Sequence, residues 1–159
     1  MLRVSLRARG GTFVDAPGVV LQSGMVDCGP AALASLITSL GGSPPSLTRL
    51  SSMAGTSASG TTFAGLSRAA HRLGFPNTLQ RLDTAGLNRL AAPLIAWVDG
   101  GHFVTVVPHS SDSVLVLDPQ AGPYRIALAR FRRFWSGEAL IPMPEPPPSG
   151  RHPSSPSKE

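Results

Sequence analysis

A chain of 159 residues, 42% hydrophobic and 14% charged, has the size of one compact domain at roughly 100–200 residues per domain, and it is too apolar to be a disordered protein. No apolar run approaches the ~18 residues of a membrane-spanning helix, and the opening segment, with Arg3, Arg7 and Arg9, is not followed by the unbroken apolar stretch of a signal peptide. The single cysteine, Cys28, excludes an intrachain disulfide and a cysteine-rich zinc site and fits a reducing cytoplasm, while the net charge of +5 rests on arginines scattered except at Arg130, Arg132 and Arg133.

Residues 1–12 read as a flexible N-terminal segment and residues 13–142 as the folded unit. From Pro30, the apolar residues Leu33, Leu36, Ile37 and Leu40 fall at i, i+3, i+4 and i+7. That is an amphipathic helix with proline in its first turn and Gly41-Gly42 at its end. Ser46 is an N-cap for a short helix over Leu47, Leu50 and Met53, and the small residues from Ala54 to Gly60 form a loop. A third helix starts near Thr61, buries Phe63, Leu66, Ala70 and Leu73, and stops at Gly74.

After Phe75-Pro76 the period changes. Thr78 to Leu82 alternates as a strand, Asp83 to Leu90 makes one or two helical turns, and Pro93 to Val98 is a buried strand. His102 to Val107 and Ser113 to Asp118, joined by the polar loop Pro108 to Asp112, predict a hairpin. A strand over Tyr124 to Ala127, a helical turn over Phe131, Phe134 and Trp135, and a strand over Ala139 to Ile141 complete an α+β fold. Seven prolines among the last eighteen residues cannot build a core, so residues 143–159 are expected to be a disordered tail. No internal repeat is visible.

Cys28 stands at the N-terminus of the first helix, where unpaired N–H groups and the macrodipole favour a thiolate, and its neighbours Asp27, Gly29 and Pro30 are turn-forming rather than core-like. A buried inert cysteine is the competing reading. A hairpin loop centred on Ser110 pairs Val107 with Ser113 and sets His102 opposite Asp118 on one face. Their Cβ atoms are then ~5 Å apart, so the carboxylate can fix the imidazole tautomer. A slip of one residue would separate them. Gly100 and Gly101 leave the backbone before His102 open to the approach of another element. His71, His109 and His152 read as surface residues, no third ligand joins His102 and His109 to make a metal site, and the Arg130-Phe131-Arg132-Arg133-Phe134 run reads as a solvated helix face rather than a nucleic-acid site.

In Gln22-Ser23-Gly24-Met25-Val26-Asp27-Cys28-Gly29-Pro30-Ala31-Ala32-Leu33 a glutamine precedes the cysteine by six residues and Asp-Cys-Gly opens the helix. Further along come Gly60-Thr61-Thr62, Gly101-His102-Phe103-Val104, Asp118-Pro119 with Gly122, and Phe134-Trp135-Ser136-Gly137. In these segments, from about Val19 to Ile141, the chain resembles the peptidase family C39, papain-like domains that remove double-glycine leader peptides from bacteriocins and related peptides. The resemblance implies a papain-like cysteine peptidase with Cys28 as nucleophile, His102 as general base and acid, Asp118 as the orienting carboxylate and Gln22 as oxyanion-hole donor. It further implies no cofactor, and a leader-bearing precursor peptide as partner. Members are commonly the N-terminal domain of an ABC exporter, whereas this chain reads as a free-standing form that would work beside a separate exporter. Two other readings stay open: a peptide-binding module without hydrolysis, and an acyltransferase of the transglutaminase-like type using the same three residues.

Overall fold

The computed structural model describes residues 9–144; the expected tail from 145 onward, with His152, and residues 1–8 lie outside the described residues. Among the described residues seven antiparallel strands form one sheet in the order β1-β6-β5-β4-β3-β7-β2. They are β1 (Thr12–Phe13), β2 (Asn77–Arg81), β3 (Leu94–Val98), β4 (His102–Ser110), β5 (Ser113–Asp118), β6 (Gly122–Ala127) and β7 (Trp135–Pro142). Five helices accompany them: α1 (Cys28–Ser39), α2 (Leu47–Ala54), α3 (Phe63–Arg72), α4 (Thr84–Leu90) and α5 (Leu128–Phe131). The α+β class follows directly, with three helices first and six of the seven strands after them.

The sheet separates two apolar cores. Alternate residues of β3, β4 and β7 (Ile95, Phe103 and Leu140) face Leu33, Leu36 and Ile37 of α1, Leu50 of α2 and Leu66 of α3. The intervening residues Ala96, Val104, Val106 and Ala139 face the other way, onto Leu87 of α4, Leu128 and Phe131 of α5, and Val114, Val116 and Ile126 of the sheet. Both faces are covered, which is why β3 reads as an unbroken apolar run.

α1 is not the surface helix that its stripe predicts. Gly29 to Ile37 are all buried, while Leu40, the last member of the stripe, is the C-cap and is 37% exposed. α2 and α3 cover α1, so small residues had to fill the side that an amphipathic helix would give to water. Ser35 is fully buried there and accepts a hydrogen bond from the Val20 N–H at 2.8 Å. α2 takes its expected N-cap, Ser46; α3, expected to start near Thr61, starts at Phe63 with Thr62 as its N-cap, and the Gly74 expected to end it has φ +86°.

Three further expectations are revised. The hairpin loop is shorter: β4 runs on through Pro108 to Ser110, with an irregularity between Pro108 and Ser110 that takes up one extra residue. Thr105 therefore pairs with Leu117, two positions away from the expected register. The aromatic turn also ends earlier: α5 stops at Phe131, and Trp135 already belongs to β7, its ring stacked on Phe131 at 5.6 Å between centroids. The spacing of Phe131, Phe134 and Trp135 brings the rings together through a tight turn rather than a helix. At the other edge, β1 pairs with Arg125 and Tyr124 of β6, a strand too short for any periodicity to announce.

Candidate active site

Two contacts join the N-terminal part of α1 to β4, one at Thr105 and one at Phe103. The buried Thr105 hydroxyl donates to the Ala32 carbonyl of α1 at 2.6 Å. Phe103 packs its ring against Phe63 and Trp97, with centroids 4.9 and 4.5 Å away. At Gly29 a Cβ would stand 3.0 Å from the Thr61 Cβ and 3.3 Å from the Phe103 Cδ2, so glycine allows α1 to approach both. Thr61 is itself fixed by the Thr56 hydroxyl at 2.7 Å. The Cys28 thiol is thereby set beside His102, the first residue of β4 and within hydrogen-bonding reach of it.

His102 follows the Val98–Gly101 turn, in which Asp99 and Gly100 have φ of +54° and +63° and the Gly101 N–H donates to the Val98 carbonyl. Among the described residues, apart from its immediate neighbours in the chain, nothing comes within 4 Å of a Cβ placed at Gly100 or Gly101. Gly100 serves the left-handed turn, and the backbone before His102 is uncrowded among the described residues, as expected.

His102 Nε2 lies 2.8 Å from Asp118 Oδ1. In the observed register Asp118 falls beside Val104, so it is diagonal to His102 and not opposite as expected. The shift is of two residues, which preserves the face, and a diagonal pair is within reach of an imidazole. The same Asp118 oxygen accepts from the Gln120 and Ala121 N–H groups at 2.8 and 3.2 Å, which leaves the carboxylate little freedom. With Nε2 committed to Asp118, Nδ1 is the nitrogen left for the thiol.

The electrostatics favour a charged pair. Burial pushes the Cys28 thiol up, but hydrogen bonds from His102 and from the Phe103 and Gly29 N–H groups outweigh it and lower its pKa. Burial likewise disfavours the His102 cation, yet Asp118 and Cys28 together raise its pKa to about 9. Thiolate and imidazolium stabilise each other, and their titrations belong to the pair. An array of this kind can present a sulfur nucleophile at neutral pH and hand a proton to a departing group.

Asp27 has a part that its sequence position alone did not reveal. Its side chain does not cap α1. It turns back to accept from the Ser23 N–H, the Ser23 hydroxyl and the Gly24 N–H, tying residues 23–27 into a tight loop. Burial raises its pKa, and those hydrogen bonds outweigh that effect and lower it. The loop orients Gln22, whose own N–H donates to the Pro119 carbonyl at 2.8 Å beside Asp118. Gln22 Nε2 donates to the Gly24 carbonyl at 2.7 Å, and an amide nitrogen keeps a second N–H for another acceptor. Its Oε1 is buried without a hydrogen-bond partner among the described residues.

Cys28, His102, Asp118 and Gln22 line one open cavity of about 470 Å³. Its walls also contain Arg9, Asp99, Tyr124 and Phe134, none of which the sequence reading singled out for the site. Arg9 reaches it by an ion pair with Asp99 at 2.8 Å, from a segment expected to be flexible. His71 is instead bound to Ser67 and Asn77, and neither it nor His109 borders the cavity. No group of three or more potential metal-ligating side chains converges among the described residues.

A family model described as the peptidase C39 family matches residues 17–147. An uncharacterized protein of Methanothermobacter marburgensis is 32% identical over 130 residues, covering 82% of this chain and 91% of that protein. The peptidase domain of Streptococcus ComA, a bi-functional ABC transporter involved in a quorum-sensing pathway, superposes with a TM-score of 0.73 at 28% identity, over 82% of this chain and all of that domain. A double glycine motif protease from an AMS/PCAT transporter, solved in complex with its leader peptide, superposes with a TM-score of 0.72 at 25% identity, over 78% of this chain and 89% of that one.

Proposed function

The chain belongs to the peptidase C39 family and is a cysteine peptidase with the papain-like fold, and from that premise we propose that it cleaves leader-bearing precursor peptides after a Gly-Gly pair. The Cys28 thiolate attacks the scissile carbonyl, and the tetrahedral oxyanion accepts hydrogen bonds from the Cys28 N–H and the Gln22 amide. His102, charged in the resting pair, protonates the leaving amine. It then takes a proton from the water that releases the acyl group from sulfur, while Asp118 keeps the imidazole in one orientation throughout.

The observation that carries this reading is the cysteine at the first turn of a buried helix facing an imidazole whose far nitrogen is held 2.8 Å from a carboxylate. The leader and its Gly-Gly end come by analogy with the protease solved in complex with its leader peptide. A Gly-Gly site suits a cleft too narrow for any Cβ on the acyl side. A separate exporter is part of the same proposal, by analogy with the transporter that contains the ComA peptidase domain.

The test is mass spectrometry of a double-glycine leader peptide incubated with the protein, with and without an added amine. Cleavage immediately after the second glycine, lost when either glycine becomes valine and lost in Cys28→Ala, is the expected result. Amine adducts in place of free acid would assign the array to acyl transfer. An intact peptide that is nevertheless retained by the protein would assign it to binding alone.

A further inference from the structure

A second cavity, of about 270 Å³, lined by Arg9, Arg130, Arg133 and Phe134, shares a wall with the one that holds Cys28. Arg9 and Phe134 border both. The Arg9 guanidinium lies over the Phe134 ring, 5.0 Å from its centroid. The side chain of Arg130 packs on the backbone of Gly10, where a Cβ would stand only 2.7 Å from the Arg130 Cδ. Three arginine side chains thus line one hollow together with the Phe134 ring, and that ring and Arg9 also border the cavity of Cys28. Asp99 pairs with Arg9, and among the described residues no carboxylate pairs with Arg130 or Arg133.

The place of this cluster along the cleft follows from the chemistry of the proposed reaction, on which the inference rests. The leaving amine takes its proton from His102, so the segment that departs with that amine passes on the His102 side. Asp99, Gly101 and His102 belong to one turn and strand, and Arg9 is bonded to Asp99, so the arginines stand on that same side. We propose that Arg9, Arg130 and Arg133 form a subsite for an acidic side chain in the first few residues after the scissile bond. Carboxylates there meet planar, forked cationic donors, of which Arg130 and Arg133 have no paired carboxylate among the described residues. Lysine or arginine at those positions meets like charge.

The test uses peptides with one common Gly-Gly leader that carry aspartate, serine or lysine in the positions just after the second glycine. The expected order of kcat/KM is aspartate over serine over lysine, about tenfold between the extremes, and narrowing as salt is raised. In the Arg130→Glu/Arg133→Glu variant the order should invert, which a merely structural loss would not do. Equal rates for all three peptides, or an order that the variant leaves unchanged, would overturn the subsite while leaving the peptidase reading intact. If no peptide of the series is cut, the peptidase reading fails by itself. Fluorescence anisotropy of labelled acidic and basic tetrapeptides on the same protein then decides the subsite: preference for the acidic peptide upholds it and equal binding overturns it.

Discussion

The pairing of Cys28 with His102 makes the proposed chemistry depend on two titrations moved in opposite directions, one lowered and one raised to about 9. The thiolate–imidazolium pair exists above the first and below the second. Below the lower limit the sulfur is protonated, and above the upper limit the imidazole has no proton for the leaving amine. A pH profile of kcat/KM should therefore fall on its basic side near 9. Asp118→Asn removes the group whose hydrogen bond does most to raise His102, so the basic limb should move down and kcat should drop. An unmoved basic limb would disprove the coupling. Alkylation of Cys28 by iodoacetamide should show a midpoint below the ~8.5 of a free thiol, shifted up in His102→Ala. Gln22→Ala should lower kcat by ~10²–10³ if its second N–H meets the oxyanion, whereas a rise in KM alone would limit it to holding substrate.

Between elements, the decisive contact is that of α1 with β4. Gly29 lies inside α1, where alanine would ordinarily stabilise a helix by ~1 kcal/mol. Here the added Cβ would press on Thr61 and Phe103, neither of which is the loose end of a flexible chain. Overpacking at ~1–3 kcal/mol outweighs the propensity gain. Gly29→Ala should lower the denaturation midpoint, cut kcat by at least tenfold through displacement of the sulfur, and recover part of both losses with Thr61→Gly. A gain in stability with full activity would show that the approach is less tight than 3.0 Å implies. The same elements mark how far the sequence could be read. Pro30, Ser46, Thr62 and Gly74 carry local signals, so the helices stand where spacing and caps set them. His102 and Asp118 met because an even register error keeps the face. The two-residue shift itself came from Pro108 staying inside β4, and no short-range pattern encodes that. Asp27 and Arg9 were out of reach for a related reason: one turns back on its own loop, and the other finds Asp99 ninety residues away.

The two apolar cores lie on opposite faces of the sheet, and β3, β4 and β7 contribute alternate residues to both. Loosening one side must disturb the strands that floor the other, so the molecule should unfold as one unit. Its two tryptophans make this measurable: Trp97 packs on the helical core, and Trp135 lies in the opposite one. Trp97→Phe and Trp135→Phe each leave a single reporter. Urea titrations of each variant, followed by that tryptophan's fluorescence and by circular dichroism, should give coincident transitions; separate midpoints within one variant would divide the structure into two cooperative units. Leu66→Ala, a fully buried site in the helical core, should cost ~2–5 kcal/mol and shift both probes together.

The isolation of the one thiol that the chain possesses sets a further condition on its working life. A thiolate held open to a cavity is also the form that peroxide attacks, and the resulting sulfenic acid needs a second thiol to be reduced. No neighbouring cysteine can supply it, because Cys28 has no counterpart in the sequence. Recovery has to come from an outside reductant, so brief exposure to peroxide should abolish activity reversibly when a small thiol is added, and permanently when that addition is delayed.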